Sequence, residues 1–304
     1  MPQGRALCAP LPLVLSQPLV VVLAQQVVHV VVLVIPNHMG GTGKTTTAKE
    51  LAPAFAERCL RVLLVDFDPQ SNLTEGYGLE AHEGPRIEDL LLEQGTPDVA
   101  AAAVSVGETL RSRDDLLSDE ALAIADRVWI VPTSLWLLER RHELEDKQDR
   151  LRELLQATGD AFDVVIVDPP PANCQPMHDI ALAAGDAALI PVKPVDSDVM
   201  GAMKQAAFID DVFREVNPRL QVIGVLPIRA QRRRRLFRDT HSALADAELP
   251  VIDCWVPERE GEIAHADRTS TPIFFARPKS DVTTAYRGVA SYVIERLDLP
   301  ATRS

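Results

Sequence analysis

The sequence is short of cysteine and has no pattern in what it holds. Four occur in 304 residues, at Cys8, Cys59, Cys174 and Cys254. They form no CxxC pair and no His/Cys spacing suited to a metal. A disulfide scaffold and a zinc module are therefore excluded, and reduced thiols in a cytosolic compartment fit. Positive charge is also scarce. There are 31 Lys and Arg against 44 Asp and Glu, a net charge of −13. That excludes a chain coated in basic surface. It leaves room for a local basic patch, because screening over ~10 Å lets the near field decide. No internal repeat is visible.

What is present is ordinary globular material. Hydrophobic residues make up 46% and charged residues 25%, enough for a large core in a single α/β domain. Residues 1–26 are the exception: apolar, broken by proline and nearly uncharged. They can be read as a signal peptide, with Arg5, an apolar run and a cleavage site near Ala24. They can also be read as the start of a membrane span over residues 19–35. That window carries Gln25, Gln26 and His29 and is short for the ~20 residues a span needs. The favoured expectation is a dispensable extension from a misassigned start, with one domain over residues 27–304.

Residues 27–35 (VVHVVVLVI) form a continuous apolar run, as in a strand buried on both faces. Similar runs recur at 61–66, 128–131, 162–168, 187–192, 220–226 and 251–253. Helical periodicity fills the gaps at 45–59, 135–155, 198–216, 238–248 and 282–297, and Pro53 should kink or shorten the first of these. Residues 100–103 and 113–126 read as a loop-rich insertion. Strands alternating with helices predict a doubly wound, mostly parallel sheet with helices on both faces. Ligands in such sheets sit beyond the carboxyl ends of the strands.

The first strand runs into PNHMGGTGKTTTA. Glycines followed by a helix start allow backbone N–H groups to converge on a phosphate. Gly40, Gly41, Thr42, Gly43, Lys44, Thr45 and Thr46 are the predicted nucleotide-binding residues. Lys44 supplies charge to the β- and γ-phosphates, Thr45 a hydroxyl to Mg²⁺, and Thr46 a donor to the α-phosphate. The usual phosphate loop wants a glycine five residues before Gly43, and His38 stands there.

That departure resembles the deviant Walker motif of the ParA/MinD family. RVLLVDFDPQSNLT (61–74) and FDVVIVDPPPAN (162–173) are similar to the family's second motif and its Walker B strand. With weaker echoes at 189–202, 224–230 and 271–290, the resemblance covers roughly residues 27–297, closest to the ParA/Soj partition ATPases. It implies the P-loop NTPase fold, ATP and Mg²⁺ as cofactors, and slow ATP hydrolysis. It implies Asp68 as the catalytic acid beside Lys44, and Asp168 as a Mg²⁺ holder through water. Asp66 either supports the metal with Thr45 and Asp168 or braces the loop after its strand. Asn72 falls near the nucleotide or simply shapes a turn.

One departure bears on mechanism. The family's signature lysine, just before the paired glycines, is Met39 here, and a thioether brings no cation. Intact nucleotide binding with weakened hydrolysis or a weakened ATP dimer is expected, unless another cation such as Arg259 substitutes.

Residues 229–238 (RAQRRRRLFR) hold six arginines and no acid. Arg232, Arg233, Arg234, Arg235 and Arg238 are the candidate contacts to non-specific duplex DNA. The resemblance implies an ATP-dependent homodimer, a ParB-type partner and a nucleoid-associated place in the cytoplasm. Chromosome or plasmid partition is the expected function. The alternative is a hydrolysis-impaired, ATP-holding regulator or scaffold. The C-terminal SYVIERLDLPATRS lacks the basic amphipathic character of a membrane anchor. Only Tyr77, Tyr286 and Tyr292 occur, which argues against a tyrosine-kinase relative.

Overall fold

Apolar runs this dense can be buried only if both faces of a sheet are covered, and that is how the chain folds. A computed structural model describes residues 30–113, 117–230 and 235–300, the side chains of 235–237 excepted. The segment 1–26 lies outside the described residues.

Seven strands form one sheet: β1 (Val31–Val34), β2 (Val62–Asp66), β3 (Val104–Ser105), β4 (Val128–Val131), β5 (Val164–Asp168), β6 (Ala187–Val192) and β7 (Gln221–Pro227). Their order is β3-β4-β2-β5-β1-β6-β7. Every pairing is parallel except β3 with β4.

Strand residues alternate between two cores, as the pleat requires. Leu33, Val62, Leu64, Val164 and Ile166 face one cluster, with the helices Lys44–Ala56 and Asp281–Arg296. Val32, Val34, Leu63, Val65, Val165 and Val167 face the other, with the helices Arg150–Gln156 and Met177–Ala184. All but Val32, at 3%, are fully buried. Each contributes about 1.5–3 kcal/mol of transfer free energy. The same alternation places Asp66 and Asp168 on the face of the first cluster, and they are register partners at the ends of β2 and β5.

Several expected elements differ. The expected helix over 135–155 breaks into Trp136–Glu139, a 3-10 turn Arg141–Leu144 and Arg150–Gln156. The intervening EDKQD has nothing apolar to bury. The helix expected from 198 starts at Asp196 and ends at Ala207, giving way to a π turn and a 3-10 turn. The strand expected at 251–253 is a single bridge, Val225 to Val251. The segment read as loop-rich holds the helices Val99–Ala102 and Asp119–Ala125, with residues 114–116 outside the described residues. Pro53 stays inside its helix, which stops at Ala56, three residues short of the expected end. Among the described residues no helix is long and apolar enough to cross a membrane.

Candidate functional site

The loop between β1 and the helix Lys44–Ala56 is shaped by two left-handed glycines, Gly41 (φ 70°) and Gly43 (φ 84°). The left-handed backbone at Gly43 disfavours any side chain, and a Cβ there would also press on Ile228 Cδ1. It serves as N-cap without a side-chain cap, and the first turn carries no acid. The helix N-terminus therefore keeps open donors and an uncompensated positive dipole end, which suits an anion.

Asn37 anchors the loop. Its amide donates to the Pro191 carbonyl at 2.7 Å, and its Oδ1 accepts the Met39 N–H at 3.1 Å. The Met39 carbonyl then accepts from the Thr42 hydroxyl (3.3 Å) and the Lys44 ammonium (3.4 Å). Thr42 is fully buried and, alone of the predicted residues 40–46, does not line the cleft. The Met39 side chain lies over the bare backbone at Gly201, where a Cβ would come within 3.3 Å of its Cγ.

The three acids take different roles. Asp66 is fully buried, and its oxygens accept from the Asp68 N–H (3.3 Å), the Thr74 N–H (2.8 Å) and the Thr74 hydroxyl (2.7 Å). Burial raises its pKa well above the usual carboxylate range, and the Asp168 charge adds to this. Of its two predicted roles, loop bracing is the one its bonds occupy. Asp168 is also fully buried, and among the described residues neither oxygen has a hydrogen bond of ordinary geometry, the Thr45 hydroxyl standing nearby. Burial pushes its pKa up to about 7, while the Lys44 charge and the Thr45 hydroxyl oppose. A buried carboxylate beside a hydroxyl fits a hard divalent cation. Asp68 lies at the edge of the open space, 8% exposed, with Oδ1 holding the Gln70 N–H at 3.0 Å.

The phosphate loop and Asp68 meet in one cleft of about 840 Å³, whereas Thr42, Asp66 and Asp168 are fully buried and do not line it. Gly40, Gly41, Gly43, Lys44, Thr45, Thr46, Asp68 and Asn72 line it, as do Lys49, Cys174, Arg229 and Asp267. The sequence reading had not connected Lys49, Thr74 or Arg229 to this site. Behind it, His178 is buried with Nδ1 3.0 Å from the Pro170 carbonyl, and burial pushes its pKa down to about 4. It is a neutral brace for the turn after β5.

Arg259, the candidate substitute cation, is tied to Asp281 and does not line the cleft. Of the predicted DNA contacts, Arg232, Arg233 and Arg234 lie outside the described residues. Arg235 opens the helix Arg235–Asp246, its side chain outside the described set. Arg238 is exposed and borders a groove with His241 and Trp255.

Known proteins share this arrangement. The family model of an AAA domain matches residues 30–222. The chromosome-partitioning ATPase Soj of Thermus thermophilus is 30% identical over 261 residues, 86% of this chain and 94% of the relative. The chromosome partitioning protein ParA of Caulobacter vibrioides is 30% identical over 270 residues, 87% of this chain and 94% of the relative. Among solved structures, apo McdA from Cyanothece superposes with a TM-score of 0.72 at 23% identity, covering 87% of this chain and all 100% of that one. Cobyrinic acid a,c-diamide synthase from Mycobacterium smegmatis, with bound ADP and magnesium, gives 0.69 at 27% identity over 88% of this chain and 96% of that one.

Proposed function

Since the chain belongs to the ParA/Soj family of P-loop ATPases, we propose that it is an ATP-driven switch for partitioning DNA. The observation that carries the nucleotide part is the pairing of an open helix N-terminus with Asp168, a fully buried carboxylate beside the Thr45 hydroxyl whose oxygens make no hydrogen bond of ordinary geometry among the described residues. ATP is the substrate. Mg²⁺ is the cofactor: the Thr45 hydroxyl would hold it directly and Asp168 through water, with Asp66 behind them, and it would neutralise phosphate charge.

The residues divide the work. Lys44 leaves the Met39 carbonyl to pair with phosphate oxygens. Backbone N–H groups of 40–46 and the Thr46 hydroxyl fix the phosphate chain. Asp68 orients the attacking water from the edge of the cleft, and Asp66 holds the Asp68 turn in place through Thr74. Phosphoryl transfer is mainly positioning and charge neutralisation, so one aimed carboxylate is sufficient.

ATP closes a homodimer, the dimer holds non-specific duplex DNA through arginines of 232–238, and a ParB-type partner triggers hydrolysis and release. The support is the family's composition: both relatives above bear partitioning in their names. The basic run adds a local positive field on a chain of net charge −13. In this proposal residues 27–304 are the ATPase domain and 1–26 a dispensable extension.

The deciding experiment is binding to random-sequence duplex DNA with ATP, with ADP and without nucleotide, at two salt concentrations. Binding that requires ATP and fades with salt supports the switch. Normal ATP affinity without ATP-dependent DNA binding would leave the second reading, an ATP-holding regulator. Met39, whose side chain lies against Gly201 and brings no cation, is the observation in that reading's favour.

A further inference from the structure

Among the described residues three basic side chains line the cleft, and two are already engaged. Lys44 donates to the Met39 carbonyl, and Lys49 pairs with Asp267 at 2.9 Å. Arg229 also lines the cleft, and among the described residues its side chain makes no hydrogen bond or ion pair. It is only half-buried, so its charge remains hydrated and available.

Its backbone is held in an unusual place. Arg229 has φ 48°, in the left-handed region that disfavours any residue with a Cβ. Both neighbours are pinned. The Ile228 N–H donates to the Val192 carbonyl at 2.8 Å, and the Ala230 N–H to the Val256 carbonyl at 3.1 Å, with Ala230 bridged to Pro257. The chain turns here between two fixed points, and the turn would be easier with glycine. Strain that the surroundings over-determine, at a residue bordering a cleft, points to a use for its side chain.

The position of the guanidinium follows from its neighbours. A narrow slot adjoins the cleft, lined by Gly43, Thr46, Ile228, Arg229 and Tyr286, without Lys44 or Asp68. The Arg229 charge reaches Tyr286, whose hydroxyl lies 3.4 Å from the Thr47 hydroxyl in the first helical turn. Arg229 thus borders Gly43 and Thr46, in a part of the cleft that neither Lys44 nor Asp68 reaches.

We propose that Arg229 is a nucleotide-binding cation, supplied by the chain from the end of β7, that grips the α-phosphate and ribose end of ADP and ATP alike. This rests on the nucleotide reading above and deepens it. A guanidinium at that end touches what substrate and product have in common. It therefore strengthens binding of both and slows release of ADP, without stabilising charge developed at the γ-phosphate. It does not restore what Met39 removes. Arg229 and Met39 act at opposite ends of the phosphate chain, one on retention and one on turnover.

The test is isothermal titration of the full chain with ADP and with ATP, in Mg²⁺, for wild type, Arg229→Gly, Arg229→Lys and Lys44→Ala. Melting temperatures without nucleotide are taken alongside. Arg229→Gly removes the charge and relieves the left-handed strain, so it should melt no lower than wild type. Its affinity for both nucleotides should fall about 10- to 100-fold, the loss expected for a charged hydrogen bond. Arg229→Lys should keep part of it. Wild-type affinity for ADP in Arg229→Gly would overturn the proposal, as would a loss confined to ATP. Wild-type protein that binds neither nucleotide would overturn the nucleotide reading itself. Binding by wild type, lost in Lys44→Ala but kept in Arg229→Gly, overturns this inference alone.

Discussion

The Lys44 ammonium rests 3.4 Å from the carbonyl oxygen of Met39, five residues earlier in the same loop. The loop thus satisfies its own lysine, with a bond long enough to surrender. Lys44→Ala should leave the melting temperature nearly unchanged and weaken ADP and ATP binding by about 100-fold or more, since a charge-assisted phosphate contact disappears. Calorimetric titration reads both nucleotides. Retained affinity would mean the nucleotide is held elsewhere.

Met39 is 39% exposed and lies against Gly201, and neither feature demands a thioether. Met39→Lys should therefore fold and raise steady-state phosphate release, by about 10-fold or more if a missing cation limits turnover. A rate equal to wild type would show that hydrolysis is limited by something other than this side chain.

Asp68 holds one neighbouring backbone N–H and otherwise faces the cleft. Asp68→Ala is expected to lower turnover by about 100-fold or more, with ADP affinity changed only a few-fold, because its part belongs to the reacting water. A rise in KM with kcat intact would assign it to binding.

Glu50 is fully buried, and its carboxylate accepts the N–H groups of Ile273 (2.8 Å) and Phe274 (2.9 Å). Burial pushes its pKa from 4.5 up to about 7, against the Lys49 charge and those two bonds. A carboxyl with a raised folded-state pKa is protonated more readily in the folded protein. Its contribution to stability is complete below pH 4.5 and is lost as pH rises through about 7. The loss across that window is roughly 3 kcal/mol. Melting temperature should fall from pH 5 to pH 8 more steeply in wild type than in Glu50→Gln. Parallel profiles would remove Glu50 as the source.

The centre of the fold was readable because its strands are long apolar runs, and 128–131 and 187–192 appear at their expected bounds. That the glycine loop and Asp68 should border one cleft could be expected because their signals are local: the loop's spacing and the DxDP pair sit within a few residues. Other features depend on distant contacts. Thr74 became a partner of Asp66 only when the chain doubled back eight residues later. Arg229 was hidden inside a run of arginines, whose common charge gives no sign that one backbone turns left-handed. Its turn is set by Val192 and Val256, from other parts of the chain. Arg259 looked as suitable by charge, and its bond to Asp281, 22 residues away, left no trace in the local sequence.

The strand order also separates the site in time. β1, β2 and β5, which carry the phosphate loop and the three acids, are each paired with a strand on both sides, whereas β7, which delivers Arg229, has a strand on one side and only isolated bridges to Val251 and, from Ala230, to Pro257 on the other. Amide hydrogens of 31–34, 62–66 and 164–168 should therefore exchange among the last of the described residues, and those of β7 before them. A nucleotide gripped by both the phosphate loop and Arg229, as proposed above, would tie the most fully paired strands to the outermost one, and should slow amide exchange around 228–230.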